Sequence, residues 1–273
     1  MSENKIKINP KTSTVKFEDL ILPKNVQDTI QNIMEDGEFG HALEANGLQP
    51  RKKILLYGPP GCGKTSIVYA FANKLGKQIV DYDSSDLISY YHGGSPRNVA
   101  DAMDYAHDCD VITLFDEFES LGGIRGGGGS FSNSGVDKEN DRVVTTFLNK
   151  MEKNPPRNLF FACTNHINAI DPAIVRRFDV VLEIPPPSKE SLLKIANDII
   201  QGRFGLYAHK LVKRCKTVTQ VRRICLDELR KAVIAREKLH PTPTPVPLPK
   251  NAYPPSNDGS SLRYVPQYPQ IRF

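Results

Sequence analysis

The segment "KKILLYGPPGCGKTSIVYAFANKLG" (residues 52–76) decides the fold. A short apolar run leads into a turn rich in glycine and proline, and an amphipathic helix follows and ends at Gly76. The turn, "GPPGCGKTS" (58–66), fits the pattern GxxxxGKT, and its place between a predicted strand and a predicted helix makes the match specific. This segment therefore predicts a loop that binds phosphate groups.

The residue types of this loop suit phosphate chemistry. Its glycines let the backbone bend so that N–H groups point at phosphate oxygens, at the positive end of a helix dipole. Lys64 supplies a positive charge to the outer phosphates, and the hydroxyl of Thr65 is a ligand for magnesium. A chance GKT in an ordinary glycine-rich turn is the alternative, and the strand–helix context disfavours it.

A second segment contributes carboxylates to the same site. In "VITLFDEFES" (111–120) an apolar run, predicted to be a buried strand, ends at Asp116 and Glu117. Asp116 is predicted to hold magnesium and Glu117 to polarise the attacking water, which together with the loop indicate a hydrolase site. The predicted nucleotide-binding residues are Gly58, Pro59, Pro60, Gly61, Cys62, Gly63, Lys64, Thr65, Ser66 and Asp116, with Thr65 and Asp116 as the metal ligands.

The organisation of the chain indicates an α/β fold. Strand-like runs alternate with helical stretches, which predicts a parallel sheet covered by helices. The runs are at residues 78–82, 111–115, 159–164 and 180–184. The predicted divisions are a flexible lead (1–16), a large α/β subdomain (17–187), a small helical subdomain (188–240) and a proline-rich tail, disordered or docking (241–273). Ser188 and Thr219 are predicted to cap helices of the small subdomain.

The bulk properties favour a cytoplasmic protein. No apolar run approaches the roughly 18 residues needed to span a bilayer, so no membrane partner is expected. The beginning of the chain is polar, and the five cysteines are odd in number without CxxC pairs, which favours reduced thiols. The net charge of +5 is mild and more typical of a solvated surface than of a nucleic-acid-binding protein.

In this order the motifs resemble those of the AAA family of ATPases, close in pattern to katanin, spastin and small prokaryotic or phage AAA proteins, over residues 17–238. The resemblance implies a P-loop NTPase sheet followed by an all-α lid, with ATP and Mg²⁺ as cofactors. "FFACTN" (160–165) resembles the sensor-1 strand and implies that Asn165 positions the attacking water. "IDPAIVRRFD" (170–179) resembles the arginine-finger segment and implies that role for Arg176 and Arg177.

An arginine finger is often supplied in trans, so the resemblance implies a homo-oligomeric ring, hexameric by family analogy. An exposed basic helix end is the alternative reading of Arg176 and Arg177. In the lid, Arg222 or Arg223 stands where some relatives carry a sensor-2 arginine, and a solvated basic face explains these residues at least as well.

"SYYHGGSPRNV" (89–99) resembles the loop with which remodelling ATPases grip an extended polypeptide, with Tyr91 at the aromatic position and Gly93 at the glycine. Tyr90 and Gly94 depart from the usual basic and acidic residues. Tyrosines packed under the sheet are the alternative. The resemblance therefore implies a protein substrate that is threaded through a central pore.

The leading hypothesis is an ATP-driven protein remodeller or unfoldase. The alternatives are a nucleic-acid motor or loader, which the basic residues between 210 and 238 favour slightly, and a scaffold gated by ATP. Only about 16 residues precede the ATPase module, so target choice is expected to come from the short termini, the ring surface or a separate adaptor protein.

Overall fold

The computed structural model describes residues 8–84, 87–88, 94–121, 123 and 135–239, without the side chains of residues 135–140 and 214. Within these residues the chain forms a five-stranded sheet in which every neighbouring pair of strands is parallel. The strand order is β2-β3-β4-β1-β5. The strands are β1 (Lys53–Tyr57), β2 (Ile79–Asp83), β3 (Ile112–Asp116), β4 (Phe160–Thr164) and β5 (Val180–Glu183).

Helices cover both faces of this sheet, which confirms the predicted α/β fold. They are α1 (Lys24–Glu38), α2 (Gly40–Ala45), α3 (Lys64–Leu75), α4 (Gly94–Asp108), α5 (Gly135–Lys153), α6 (Pro172–Val175), α7 (Lys189–Ile200), α8 (Ala208–Leu211) and α9 (Val218–Leu239). Short 3-10 turns include Phe17–Asp19 and Phe118–Ser120. Among the described residues no helix is both long enough and apolar enough to cross a membrane.

Two hydrophobic cores lie on opposite faces of the sheet because successive strand residues point to opposite sides. On the face of α4 and α5, Phe115 and Phe160 pack edge to face with ring centroids 5.2 Å apart. On the face of α1 and α3, Phe71 packs against Phe161 with ring centroids 5.1 Å apart. The buried strands thus form a rigid platform whose carboxyl ends share one edge.

The helices that follow the sheet share a hydrophobic core of their own, which includes Leu192, Ile200 and Val221. Residues up to Lys231 form one compact unit that holds the sheet, α7, α8 and the part of α9 before residue 232. The predicted division between residues 187 and 188 stays a prediction.

The two predicted helix caps of this region have different outcomes. Ser188 caps α7 as predicted, since its hydroxyl accepts a hydrogen bond from the N–H of Ser191 at 3.1 Å. The predicted cap at Thr219 is wrong, because α9 begins at Val218. The hydroxyl of Thr217 accepts from the N–H of Gln220 at 3.2 Å, three residues on, as an N-cap does.

Candidate nucleotide-binding site

The predicted site residues meet at the carboxyl edge of the sheet. The phosphate loop follows β1, Asp116 is the last residue of β3, and Asn165 follows β4. The strands β1, β3 and β4 are parallel neighbours, so their carboxyl ends carry these side chains to one place. The crevice outside the carboxyl ends of the strands is where open α/β sheets bind their ligands.

The phosphate loop needs glycine where its backbone packs closely against the chain after β5 and where its backbone turns through a positive φ. A Cβ on Gly58 would lie 2.1 Å from the carbonyl oxygen of Ile184 after β5, so only glycine fits there. Gly63 has a φ of 98° and stands at the N-terminus of α3, where no side chain caps the first turn. The first N–H groups of α3 are therefore free of a side-chain acceptor, which suits an anion.

Lys64 connects the phosphate loop to the end of β4 and is only 6% exposed. Its Nζ donates to the carbonyl oxygens of Gly58 at 2.8 Å and Pro59 at 3.1 Å, and to Oδ1 of Asn165 at 2.8 Å. All three acceptors are uncharged, so this buried cation has no carboxylate among its hydrogen-bond partners. A phosphate group would supply the missing negative charge.

Thr65 and Asp116 form an oxygen pair that fits a divalent cation. The hydroxyl of Thr65 donates to Oδ2 of Asp116 at 2.7 Å, and the other carboxylate oxygen accepts from the N–H of Glu117 at 3.0 Å. Hydroxyl and carboxylate oxygens beside bound phosphates are the ligands that Mg²⁺ prefers, and it needs only one or two of them from the protein. The residues present therefore fit the implied metal.

Glu117 adopts a left-handed backbone conformation, with φ 49° and ψ 42°, which is uncommon for a residue other than glycine. The next residue, Phe118, is fully buried among the aromatic rings of the core and anchors the turn. Glu117 itself remains exposed at the edge of the sheet. Backbone strain of this kind costs of order 1–3 kcal/mol and is concentrated at functional sites.

Glu119 belongs to the same cluster, although it was not among the residues identified from the sequence. Its Oε1 accepts from the backbone N–H of Asn165 at 3.4 Å, so it links the turn after β3 to the end of β4. Its Oε2 is buried without a hydrogen-bond partner among the described residues. The sequence signal that could have identified Glu119 is an acidic residue two positions after Glu117.

The two arginines of the predicted finger segment have different surroundings. Arg177 forms an ion pair with Glu152 of α5. Arg176 directly follows α6, is exposed, and has no ion pair or hydrogen bond from its side chain in the described part of the chain. The structure thus leaves Arg176 available to another molecule, whereas Arg177 is held within its own chain.

A cleft of about 120 Å³ adjoins the phosphate loop, and of its residues the sequence predicted a site role for those of the loop and for Arg222. Three parts of the chain line it: Asp19, Leu20, Ile21 and Leu22; Gly61, Cys62, Gly63 and Ser66; Ile195, Val218, Thr219 and Arg222. Burial raises the pKa of the Cys62 thiol, so the thiol is neutral at neutral pH. The mostly apolar lining suits a nucleoside base, and a sensor-2 role for Arg222 or Arg223 stays a prediction.

Gly61→Ala is expected to weaken nucleotide binding because the phosphate loop touches the C-terminal helices there. The added Cβ would lie 3.1 Å from Oγ1 of Thr219 and 3.2 Å from Thr217. Overpacking costs about 1–3 kcal/mol. We expect the free loop to relieve this strain by leaving the geometry that binds phosphate, so nucleotide binding must restore the strain and the affinity falls by at least roughly fivefold. Gly47→Ala is the matched control, since residue 47 has the same φ of 75° as residue 61, its Cβ meets nothing within 4 Å, and it does not line the cleft. Equal affinities of the two variants for a fluorescent ATP analogue would contradict the contact.

Tyr90 and Tyr91, the predicted pore-loop residues, lie outside the described residues. The helix α4 begins at Gly94, three residues after Tyr91. The substrate-gripping role of these tyrosines stays a prediction.

Comparison with known proteins agrees with this geometry. Residues 54–186 match the model of the ATPase family associated with various cellular activities (AAA), and the matched range holds the phosphate loop, Asp116, Glu117, Asn165 and Arg176. Residues 54–186 therefore correspond to an AAA ATPase domain. The family resemblance inferred from the motifs is therefore confirmed, while the finer resemblance to katanin and spastin stays a prediction.

Two relatives illustrate how far the similarity extends. An uncharacterized AAA family ATPase of Sinorhizobium fredii is 27% identical over 223 residues, which are 81% of this chain and 66% of that protein. The proteasome-activating nucleotidase of Pyrococcus abyssi is 31% identical over 179 residues, 64% of this chain and 44% of that protein. This chain thus spans between 44% and 66% of the length of these relatives.

Proposed function

We propose that this chain hydrolyses ATP to ADP and phosphate at the carboxyl edge of its sheet. The observation that carries the proposal is the hydrogen bond from Lys64 to Asn165, next to the paired oxygens of Thr65 and Asp116. These groups come from the carboxyl ends of three different strands, β1, β3 and β4. Together they offer a cation for phosphates, ligands for a metal and a polar group for water.

Each residue has a role that its position supports. Lys64 binds the outer phosphates, and the uncapped first turn of α3 donates N–H groups to them. Thr65 and Asp116 would hold Mg²⁺, which when bound neutralises charge on the phosphates. Glu117, exposed at the edge, accepts a proton from the attacking water, and Asn165 orients that water.

We propose that the complete site forms between two copies of this chain. Arg176 is exposed and unpaired in the described part of the chain, so its charge is free to offset that of a phosphoryl group on a neighbour. A contact in which one copy supplies Arg176 and receives another is heterologous, and such contacts form a ring when the rotation between copies closes. A ring, hexameric by family analogy, follows from this arrangement.

We propose further that ATP turnover drives the remodelling of a protein substrate, with a separate adaptor for target choice. Two observations support this: the aromatic pair Tyr90–Tyr91 in its glycine-rich segment, and the similarity to a nucleotidase whose name states that it activates the proteasome. Aromatic side chains grip a polypeptide without sequence preference because they use apolar contact.

A nucleic-acid motor is the second candidate. The observation in its favour is the concentration of positive charge in the C-terminal helices. Residues 203–239 carry eleven Lys and Arg against three Asp and Glu, whereas residues 1–202 carry 22 against 27. Stimulation of ATP hydrolysis by DNA or RNA that falls steeply with salt, with no stimulation by an unfolded protein, would favour this candidate.

Tyr91→Ala is expected to leave basal ATP hydrolysis nearly unchanged while lowering ATP-dependent unfolding of a tagged fluorescent protein at least tenfold. The reason is that loss of one aromatic grip removes contact with the substrate and leaves the nucleotide site intact. Tyr207→Ala is the control, since Tyr207 is 58% exposed on the C-terminal helices. Unfolding by the Tyr91 variant at the unchanged rate would contradict threading by this loop.

A further inference from the structure

A second pocket, of about 320 Å³, lies at the opposite edge of the sheet from the nucleotide site. Its walls come from α1 and α2, from the segments before β1 and β4, and from the end of α3. The strand β1, which leads from this pocket to the phosphate loop, has five residues and rises about 3.3 Å per residue, so roughly 16 Å separate the two. None of the proposed ATPase residues lines it.

The lining combines an apolar floor with positive charge. Ile33 is buried on the floor, and Leu75 is 41% exposed at the side. Four cations and His41 line the pocket against the two carboxylates of Asp36 and Glu44. The four cations are Arg51, Lys52, Lys77 and Arg157. The pocket therefore has a net positive charge beside exposed apolar surface.

Two of these cations are already neutralised, and two are free. Arg51 is held by Asp36, with Nη2 2.8 Å from Oδ1, and this pair lowers the pKa of the Asp36 carboxyl. Lys77 forms an ion pair with Asp110. The side chains of Lys52 and Arg157 have no ion pair or hydrogen bond in the described part of the chain. These two charges are available to a ligand.

We propose that this pocket binds an acidic peptide segment of a partner protein, with an apolar side chain on the floor and carboxylates on Lys52 and Arg157. Charge complementarity argues for an acidic occupant from another protein. The segments of this chain outside the described residues at either end are basic: residues 1–7 carry two Lys and one Glu, and residues 240–273 carry three Lys or Arg and one Asp. A nucleic-acid backbone would gain nothing from the apolar floor.

Two glycines in the wall of the pocket allow a test in which an added side chain blocks the pocket. Gly37 lies in α1 and Gly40 begins α2; a Cβ on either meets nothing within 4 Å, and neither has a positive φ. Gly37→Leu would fill the pocket without changing its charge. The same substitution improves helix propensity by up to about 1 kcal/mol, so the fold is not put at risk.

The probe is a fluorescent hexapeptide, Glu-Glu-Leu-Phe-Glu-Glu, titrated with the full chain at physiological ionic strength and followed by anisotropy. We expect saturable binding that weakens at least tenfold in Gly37→Leu and in the double variant Lys52→Glu/Arg157→Glu. The double variant Lys189→Glu/Lys194→Glu is the matched control, because it reverses two charges that are exposed on α7 and do not line the pocket, and it is expected to bind normally. Peptides with Lys for Glu, or Gly for Leu-Phe, are expected to bind at least tenfold more weakly.

Several outcomes would overturn the proposal. These are no saturable binding, equal binding to the parent protein and to Gly37→Leu, or equal weakening in Lys52→Glu/Arg157→Glu and in Lys189→Glu/Lys194→Glu. An RNA oligonucleotide that binds more tightly than the peptide, with loss in Lys52→Glu/Arg157→Glu but not in Gly37→Leu, would assign the surface to nucleic acid instead. The role of the pocket in recruiting a substrate for remodelling rests on the proposed function. The peptide titration needs no ATP, so measuring ATP hydrolysis by the same variants distinguishes a failure of the peptide site from a failure of the proposed ATPase function.

Discussion

Glu117→Gln is expected to lower the rate of ATP hydrolysis by about 10²–10⁴-fold while ATP affinity stays nearly unchanged. The carboxylate is the proposed acceptor of a proton from water, and the amide cannot accept that proton. Nucleotide binding rests on Lys64, Thr65 and the N-terminus of α3, none of which the substitution touches. Single-turnover hydrolysis and titration with a fluorescent ATP analogue measure the two quantities separately.

The matched control is Glu38→Gln, the same chemical change at an exposed carboxylate at the end of α1 that has no ion pair in the described residues. It is expected to hydrolyse ATP at the unchanged rate. The glutamine at residue 117 inherits the left-handed backbone, so both variants should unfold at temperatures close to that of the parent protein. Normal turnover by Glu117→Gln would contradict the assigned base.

The sequence was sufficient to predict the sheet and its carboxyl edge because both are encoded locally. The strands are short apolar runs bounded by turn residues, and each polar residue of the site directly follows such a run. Asp116 ends β3 and Asn165 follows β4, so correct strand assignment places both at one edge. The glycines of the phosphate loop are likewise read from a local pattern.

The cleft beside the loop could not be predicted because its walls are far apart in the chain. Leu20 and Thr219 line the same cleft although roughly 200 residues of sequence separate them, and neither belongs to a local motif. Thr219 was taken for a helix cap, and only the helix start at Val218 shows that Thr217 caps α9. The requirement for glycine at residue 58 also has a distant cause, since the carbonyl of Ile184 excludes a Cβ.

The different roles of Arg176 and Arg177 could not be predicted either, because they depend on a contact between residues that are distant in the sequence. In the sequence the two are equivalent, and a resemblance assigns one role to the pair. Glu152 lies at the end of α5, and the packing of α5 beside α6 puts its carboxylate on Arg177. A contact of this kind between residues 25 positions apart is decided by tertiary packing.

Arg176→Ala is expected to lower ATP hydrolysis by about 10³-fold or more, since an arginine that stabilises the transferring phosphoryl group contributes about 10³–10⁵ in rate. The loss should appear in the assembled protein with little change in ATP affinity. Arg177→Ala is the matched control. Its guanidinium is about half exposed and paired with Glu152, so its removal costs roughly 0.2–1 kcal/mol of stability, with a small change in turnover.

Mixing two inactive variants tests whether Arg176 acts on a neighbouring copy. The Arg176→Ala chain keeps Glu117, and the Glu117→Gln chain keeps Arg176, so a contact between them assembles one complete site. Co-assembly of the two is expected to restore ATP hydrolysis well above that of either alone, whereas co-assembly of Arg176→Ala with the double variant Arg176→Ala/Glu117→Gln is not. No gain in the first mixture would place Arg176 outside the neighbour's site. A full loss in Arg177→Ala with normal turnover in Arg176→Ala would reverse the assignment and require the ion pair with Glu152 to open in the assembled ring.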